Sequence, residues 1–152
     1  MKVRTKRTLT QVVWRLLFLL YCGMMLWLLF GQRMGGNVTS VENLNLEPLR
    51  TLKMYVRIMQ HTESAELLRH AFINLAGNVL MFIPFGFFLP VIWRKQNKLF
   101  ACISTAVLCI VAVETLQYFT NLGSCDIDDL ILNLLGVLMG WLLKRIIPLK
   151  SQ

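Results

Sequence analysis

The chain has 152 residues, 56% of them hydrophobic, with a mean hydropathy of +0.58, too apolar for an ordinary soluble domain. Its net charge of +8 would suit nucleic acid, but no recognisable binding module accompanies it and no nucleic-acid partner is expected. Basic residues that flank apolar runs orient a membrane protein instead.

Residues 1–11, MKVRTKRTLTQ, read as a basic cytoplasmic tail, and Val12 to Phe30 (12–30) as the first transmembrane helix. The run is long for the apolar core of a signal peptide and no A-x-A site follows, so an uncleaved span is expected. Residues 31–70 form a polar, extracytoplasmic loop. Within it Leu49, Leu52, Val56 and Met59 recur at helical spacing, with Arg50, Lys53 and Arg57 on another face. That pattern predicts a short amphipathic helix, lying either in the membrane surface or across the outer mouth of the bundle.

Residues 71–147 hold the remaining spans. The second, about Ala71 to Trp93, contains Asn74, Gly77, Asn78, Pro84 and Gly86, and Pro84 should kink it. Arg94, Lys95 and Lys98 make a basic turn before the third, from Leu99 to about Phe119. The fourth runs from about Leu130 to Lys144 and Arg145 and is short, so it starts early, ends in snorkelling bases or crosses a thin membrane. Residues 148–152 form a second cytoplasmic tail. The expected fold is an all-α integral membrane protein, a bundle of four transmembrane helices with a short interfacial helix in the first outer loop.

Charge sets the orientation. With four spans, one side carries Lys2, Arg4, Lys6, Arg7, Arg15, Arg94, Lys95, Lys98, Lys144, Arg145 and Lys150 and no acid. The other carries all the acids except Glu114. The positive-inside rule then places both termini in the cytoplasm, N-in/C-in.

Acids and amides in apolar sequence are costly and need partners or a function. With that topology Asn74 and Asn78 lie in the outer third of the second span, one helical turn apart. Glu114 lies roughly 8 Å below the outer end of the third span, with Gln117 and Asn121 along its face. Asp126, Asp129, Asn133, Gly136 and Gly140 share a stripe of the fourth if that helix begins by the aspartates. Three spans thus bring polar residues to one depth, making Asn74, Asn78, Glu114, Gln117, Asp126, Asp129 and Asn133 a candidate polar site. The aspartates at 126, 128 and 129 could instead cap a helix. The asparagines could be interhelical hydrogen-bond glue, and Gly77, Gly86, Gly136 and Gly140 read as helix-packing positions. Cys22, Cys102, Cys109, Cys125, His61 and His70 show no metal-ligand spacing, so neither metal nor cofactor is expected.

The segments NLNLEPL at 43–49, NLAGNVLMFIPFGFFLP at 74–90, and ETLQYF followed by DIDDLILNLLGVLMG resemble the VanZ-like family of small bacterial membrane proteins. The resemblance covers most of the chain after the first span. It places Asn74, Gly77, Asn78, Pro84 and Gly86 on one family motif, and Glu114, Gln117, Asp126, Asp129, Asn133 and Gly136 on the others. This chain departs from many members in having Leu49, not an aromatic residue, after Pro48, and in reading Gly123-Ser124-Cys125 at the last turn. The family is named for a protein associated with reduced susceptibility to the glycopeptide teicoplanin, so the resemblance implies a cell-envelope role. The expected function is an outward-facing acidic pocket binding an envelope component or antibiotic, with membrane lipid, a glycopeptide antibiotic or a lipid-linked cell-wall precursor as partners. The alternative is a membrane enzyme acting on such a precursor, with Glu114 and Asp126 or Asp129 as acid and base. A transporter with so few spans would have to oligomerise.

Overall fold

The computed structural model describes residues 2–31, 44–120, 122 and 125–147. Five helices account for nearly all of it: α1 (Lys2–Phe30), α2 (Arg50–His61), α3 (Ala65–Ile92), α4 (Leu99–Phe119) and α5 (Ile127–Ile146). Two strands of two residues, β1 (Leu44–Asn45) and β2 (Cys125–Asp126), pair in parallel with Asn45 opposite Asp126. A single 3-10 turn, Arg94–Asn97, joins α3 to α4. Residues 32–43 of the expected outer loop, Asn121, Gly123, Ser124 and the 148–152 tail lie outside the described residues.

Three helical segments are long and apolar enough to cross a membrane: Leu9–Phe30, Ala65–Ile92 and Leu99–Phe119. A helix suits that environment because it satisfies its own backbone hydrogen bonds. α5 has 20 residues, with Asp128 and Asp129 in its first turn and Lys144 and Arg145 in its last. Helical boundaries run past the sequence expectation at three places. The helix of α1 begins within the basic tail, α3 begins at Ala65 rather than Ala71, and α5 at Ile127 rather than about Leu130. The opening of α3 carries Glu66, Arg69 and His70, whose exposed side chains look like loop sequence but are compatible with a helix start; Glu66 suits the positive N-terminal end.

The core is the seam between α3 and α5, to which α4 and α1 add. Phe82, Phe85, Leu89, Cys102, Ala106, Ile110, Val137 and Trp141 are buried together. Small residues let α3 and α5 approach almost backbone to backbone, the arrangement that drives association in lipid. A Cβ on Gly86 would collide with the Val137 carbonyl, one on Gly136 with the Val79 carbonyl, and one on Gly140 with the Ile83 carbonyl and the Phe87 amide. Gly77 departs from its expected packing role, since a Cβ there meets nothing within 4 Å among the described residues.

Pro84 and Pro90 both lie inside α3. Pro84 removes the N–H that would bond the Leu80 carbonyl and crowds the preceding turn. The Met81 carbonyl in that turn accepts a hydrogen bond from the Tyr21 hydroxyl at 2.6 Å. The Phe85 amide lies within reach of the same hydroxyl oxygen. One tyrosine of α1 thus splints the proline turn of α3.

The bundle has two chemically opposite ends. At one, the β1–β2 pair ties the segment before α2 to the turn before α5. At the other, the Trp141 indole donates to the Gln96 carbonyl (3.2 Å) and Lys144 to Asn97 Oδ1 (2.7 Å), fastening the end of α5 to the α3–α4 turn. The Arg145 guanidinium lies 4.3 Å from the Trp141 ring, a cation–π contact.

Candidate functional site

The acidic end is built on the first turn of α5. Asp126 is its N-cap and accepts from the Asp128 amide at 2.9 Å, satisfying one of the unpaired donors at a helix start. Its Oδ1 also takes Asn45 Nδ2 (3.1 Å), and its Oδ2 takes the Thr51 hydroxyl (2.6 Å). Asp128 is 2% exposed and faces a second helix. Its Oδ1 accepts from the Leu49 amide (2.6 Å) and its Oδ2 from the Leu52 amide (2.9 Å). The carboxylate therefore caps α2 across 79 residues of chain, where a negative charge also suits the helix dipole.

The backbone is shaped for this contact. Leu49 has φ 65° and ψ 10°, and the Arg50 amide bonds the Glu47 carbonyl. With Pro48 in between, these are the features of a type II turn, which normally places glycine where Leu49 stands. The strain of a left-handed leucine is held exactly where Asp128 grips the chain; its amide is one of the two donors.

Next to this clasp lie the other acids and amides. Asn78 Nδ2 of α3 donates to Asp129 Oδ1 of α5. Tyr55, half-buried on α2, has its phenol raised above the ordinary value by burial, then by the charges of Asp129 and Asp126. Cys125 is likewise raised by burial, then by Glu114 and Asp126. These shared neighbours place Glu114, Asp126 and Asp129 around one locus. Glu114 is 8% exposed and Asn133 4%. The carbonyl oxygens of Asn133 and Asn74 are buried with no hydrogen bond among the described residues, which is costly unless a ligand or water completes them. α3 and α5 run parallel, so both amides belong to this same end.

Of the seven candidates, six gather here: Asn74, Asn78, Glu114, Asp126, Asp129 and Asn133. Gln117 turns away. Its Nε2 donates to the Leu29 carbonyl at 3.1 Å, one of the last carbonyls of α1 and without an intrahelical acceptor role to fill. Gln117 therefore ties α4 to α1. Asp126 is at the locus but spent structurally, since both its oxygens already accept hydrogen bonds. Asp128, left out of the candidate set, proves the most deeply buried of the three aspartates; only the capping preference of acids pointed to it. No group of three or more His, Cys, Asp or Glu residues among those described has metal-site geometry, and the four cysteines are free thiols.

These features define a small all-helical protein with three helices able to cross a membrane and an acid- and amide-rich locus at one end, beneath an amphipathic helix. The chain belongs to the VanZ/LLP1 family, whose model matches residues 18–148. Comparison with curated proteins and with solved structures finds no match.

Proposed function

We propose that this is a multi-pass protein of the bacterial cytoplasmic membrane, with four spans and both termini in the cytoplasm. Its acidic end then faces outward and binds a cell-envelope molecule. The charge separation supports the orientation: acids cluster at the β1–β2 end, and Arg94, Lys95, Lys98, Lys144 and Arg145 lie at the other with no acid among them. In this reading α5 is the fourth span, with Lys144 and Arg145 snorkelling at its end.

The observation that carries the binding function is the surplus of acceptors. The buried side-chain oxygens of Asn74 and Asn133 have no hydrogen-bond donor among the described residues, and the Glu114 and Asp129 carboxylates lie at the same locus. Open space above Gly77 adjoins Asn74 and Asn78. Such a site favours a ligand rich in O–H, amide N–H or ammonium donors and disfavours a bare phosphate. Both a lipid-linked cell-wall precursor and a glycopeptide antibiotic such as teicoplanin present sugars and amides of this kind. Glu114 is the residue on which binding should turn, because glutamine keeps its size while removing its charge.

The test is native mass spectrometry of the protein extracted from cell membranes, wild type against Glu114→Gln, alongside teicoplanin susceptibility of the same strains. Wild type should carry a precursor-mass adduct that Glu114→Gln loses at equal membrane yield. An equally loaded Glu114→Gln with unchanged susceptibility would refute the proposal. Orientation is checked separately in a background lacking the native cysteines: Ser40→Cys and Ser124→Cys should label in intact cells and Ser151→Cys should not.

A further inference from the structure

The opposite end of the molecule holds a second site that the acidic locus does not explain. α1 and α4 are joined near the acidic end by Gln117 and Leu29, while α1 packs mainly on α3. Toward the basic end α1 and α4 part, opening a cavity of about 780 Å³, within the roughly 300–1,000 Å³ typical of small-molecule sites. Its walls are apolar and aromatic: Trp14, Phe18, Phe85, Leu89 and Trp93. Its mouth is cationic, with Arg15 from α1 and Arg94 and Lys95 from the α3–α4 turn, all exposed.

Among the described residues no acid pairs with those cations. The sequence has no acid before Glu42, none between Glu66 and Glu114, and none after Asp129. Lys144 of the same end is already committed to Asn97. The cavity also has an extension. A second, smaller space of about 200 Å³ follows the α1–α4 seam past Met25 to Leu29 and shares Cys22, Phe85 and Cys109 with the first. From Arg15 to Met25 is ten residues of α1, ~15 Å along its axis, which matches one leaflet of a ~30 Å hydrocarbon core.

A cationic mouth over a leaflet-deep apolar groove, flanked by Trp14 and Trp93, matches one chemistry. We infer that this cleft is a binding site for an anionic phospholipid, its phosphodiester held by Arg15, Arg94 and Lys95 and one acyl chain laid along the α1–α4 seam. Clusters of Lys and Arg between membrane helices select anionic headgroups by this means. The inference needs only that α1, α3 and α4 lie in a membrane; it is independent of what the acidic end binds and of which way the protein faces. The lipid would act as the missing wall between α1 and α4 and fix the tilt of α1.

The experiment titrates detergent-purified protein with phosphatidylglycerol or phosphatidylcholine and counts bound lipid by native mass spectrometry. Wild type should prefer phosphatidylglycerol by about tenfold or more, as expected when several cations each favour the anionic surface. The combined Arg15→Gln, Arg94→Gln, Lys95→Gln variant should lose that preference. The combined Arg50→Gln, Lys53→Gln, Arg57→Gln variant, with the same change in charge at the other end, should keep it. Cys109→Trp, at an exposed position beside the seam, should reduce retention of both lipids, because the indole occupies the chain's path. Excess inorganic phosphate should displace no lipid. Equal retention of the two lipids by wild type, equal loss in the two charge variants, or displacement by phosphate alone would each overturn the inference. Loss of the precursor adduct in Glu114→Gln, by contrast, would leave it untouched.

Discussion

Asp128→Asn tests whether α2 is held to the bundle by a buried carboxylate. Asp128 accepts from two backbone amides, Leu49 and Leu52, one on each oxygen. An asparagine of nearly the same shape keeps one acceptor and turns an NH2 group toward the other amide. One charge-assisted hydrogen bond is lost, the other becomes neutral, and two donors face each other. A hydrogen bond to a charged group contributes about 1.5–3 kcal/mol, and the αL strain at Leu49, common to wild type and variant, cancels in the difference. The expected loss is therefore about 2–3 kcal/mol, confined to docking of α2. At 1.4 kcal/mol per factor of ten, amide exchange through local opening should rise roughly 30- to 150-fold across Arg50–His61. Exchange along the α3–α5 seam should not change, because that seam rests on Gly86, Gly136 and Gly140. Hydrogen–deuterium exchange read by mass spectrometry in detergent resolves the two regions. If α2 in Asp128→Asn exchanges within about threefold of wild type, packing by Tyr55 and Ile58 holds the helix and the clasp argument fails. A uniform rise across all helices would refute the claim that the effect is local.

Gly140→Leu should lower the yield of folded protein and its thermal stability, by about 1–3 kcal/mol or more, since even its Cβ meets the Ile83 carbonyl and Phe87 amide. Gly77→Ala, with open space around it, should be neutral or slightly stabilising in the same thermal assay, because alanine is the better helix former. Cys125 has a raised pKa, so its thiol stays protonated to higher pH than an ordinary cysteine. In a variant retaining only this cysteine, its iodoacetamide rate should climb mainly above about pH 8.5, and Glu114→Gln should move that rise to lower pH; an unmoved profile would separate Glu114 from Cys125. Tyr21→Phe removes the donor to the Met81 carbonyl beside Pro84 and should cost about 0.5–1.5 kcal/mol, with faster exchange of α3 amides in that turn.

Hydropathy made the long helices legible, and the recurrence of Leu49, Leu52, Val56 and Met59 made α2 legible, because both signals are local and periodic. The polar residues were legible for a related reason: in apolar sequence every amide or acid stands out against its neighbours, and six of those singled out lie at one end of the bundle. Gln117 shows the limit. Three residues beyond Glu114 it occupies nearly the same face, yet the arc between them is enough to turn one toward α5's acidic turn and the other toward α1. Gly77 shows another. It stands in a sequence of small and amide residues like Gly136 and Gly140, but whether a glycine touches a neighbour depends on the crossing of two helices, which spacing alone does not encode. The β1–β2 pair and the Asp128 cap were out of reach for a different reason, being contacts of two residues each between segments far apart in sequence. Short polar segments of that kind carry no periodicity to read.

The clasp between Asn45 and Asp126 spans 81 residues, and that distance is also a delay. At a synthesis rate of about 5–20 residues per second, roughly 4–16 s separate the emergence of its two halves from the ribosome. Until residues 126–128 arrive, the first-turn amides of α2 have no carboxylate to receive them and nothing holds the Leu49 turn in its left-handed form. α2 precedes three helices in the chain, yet its first turn gains its carboxylate cap only once the last of them has begun. A nascent chain that stops short of Asp128 therefore leaves the first turn of α2 uncapped, whereas a longer one caps it. The start of α2 is thus a joint that closes only on a chain that has reached its last helix.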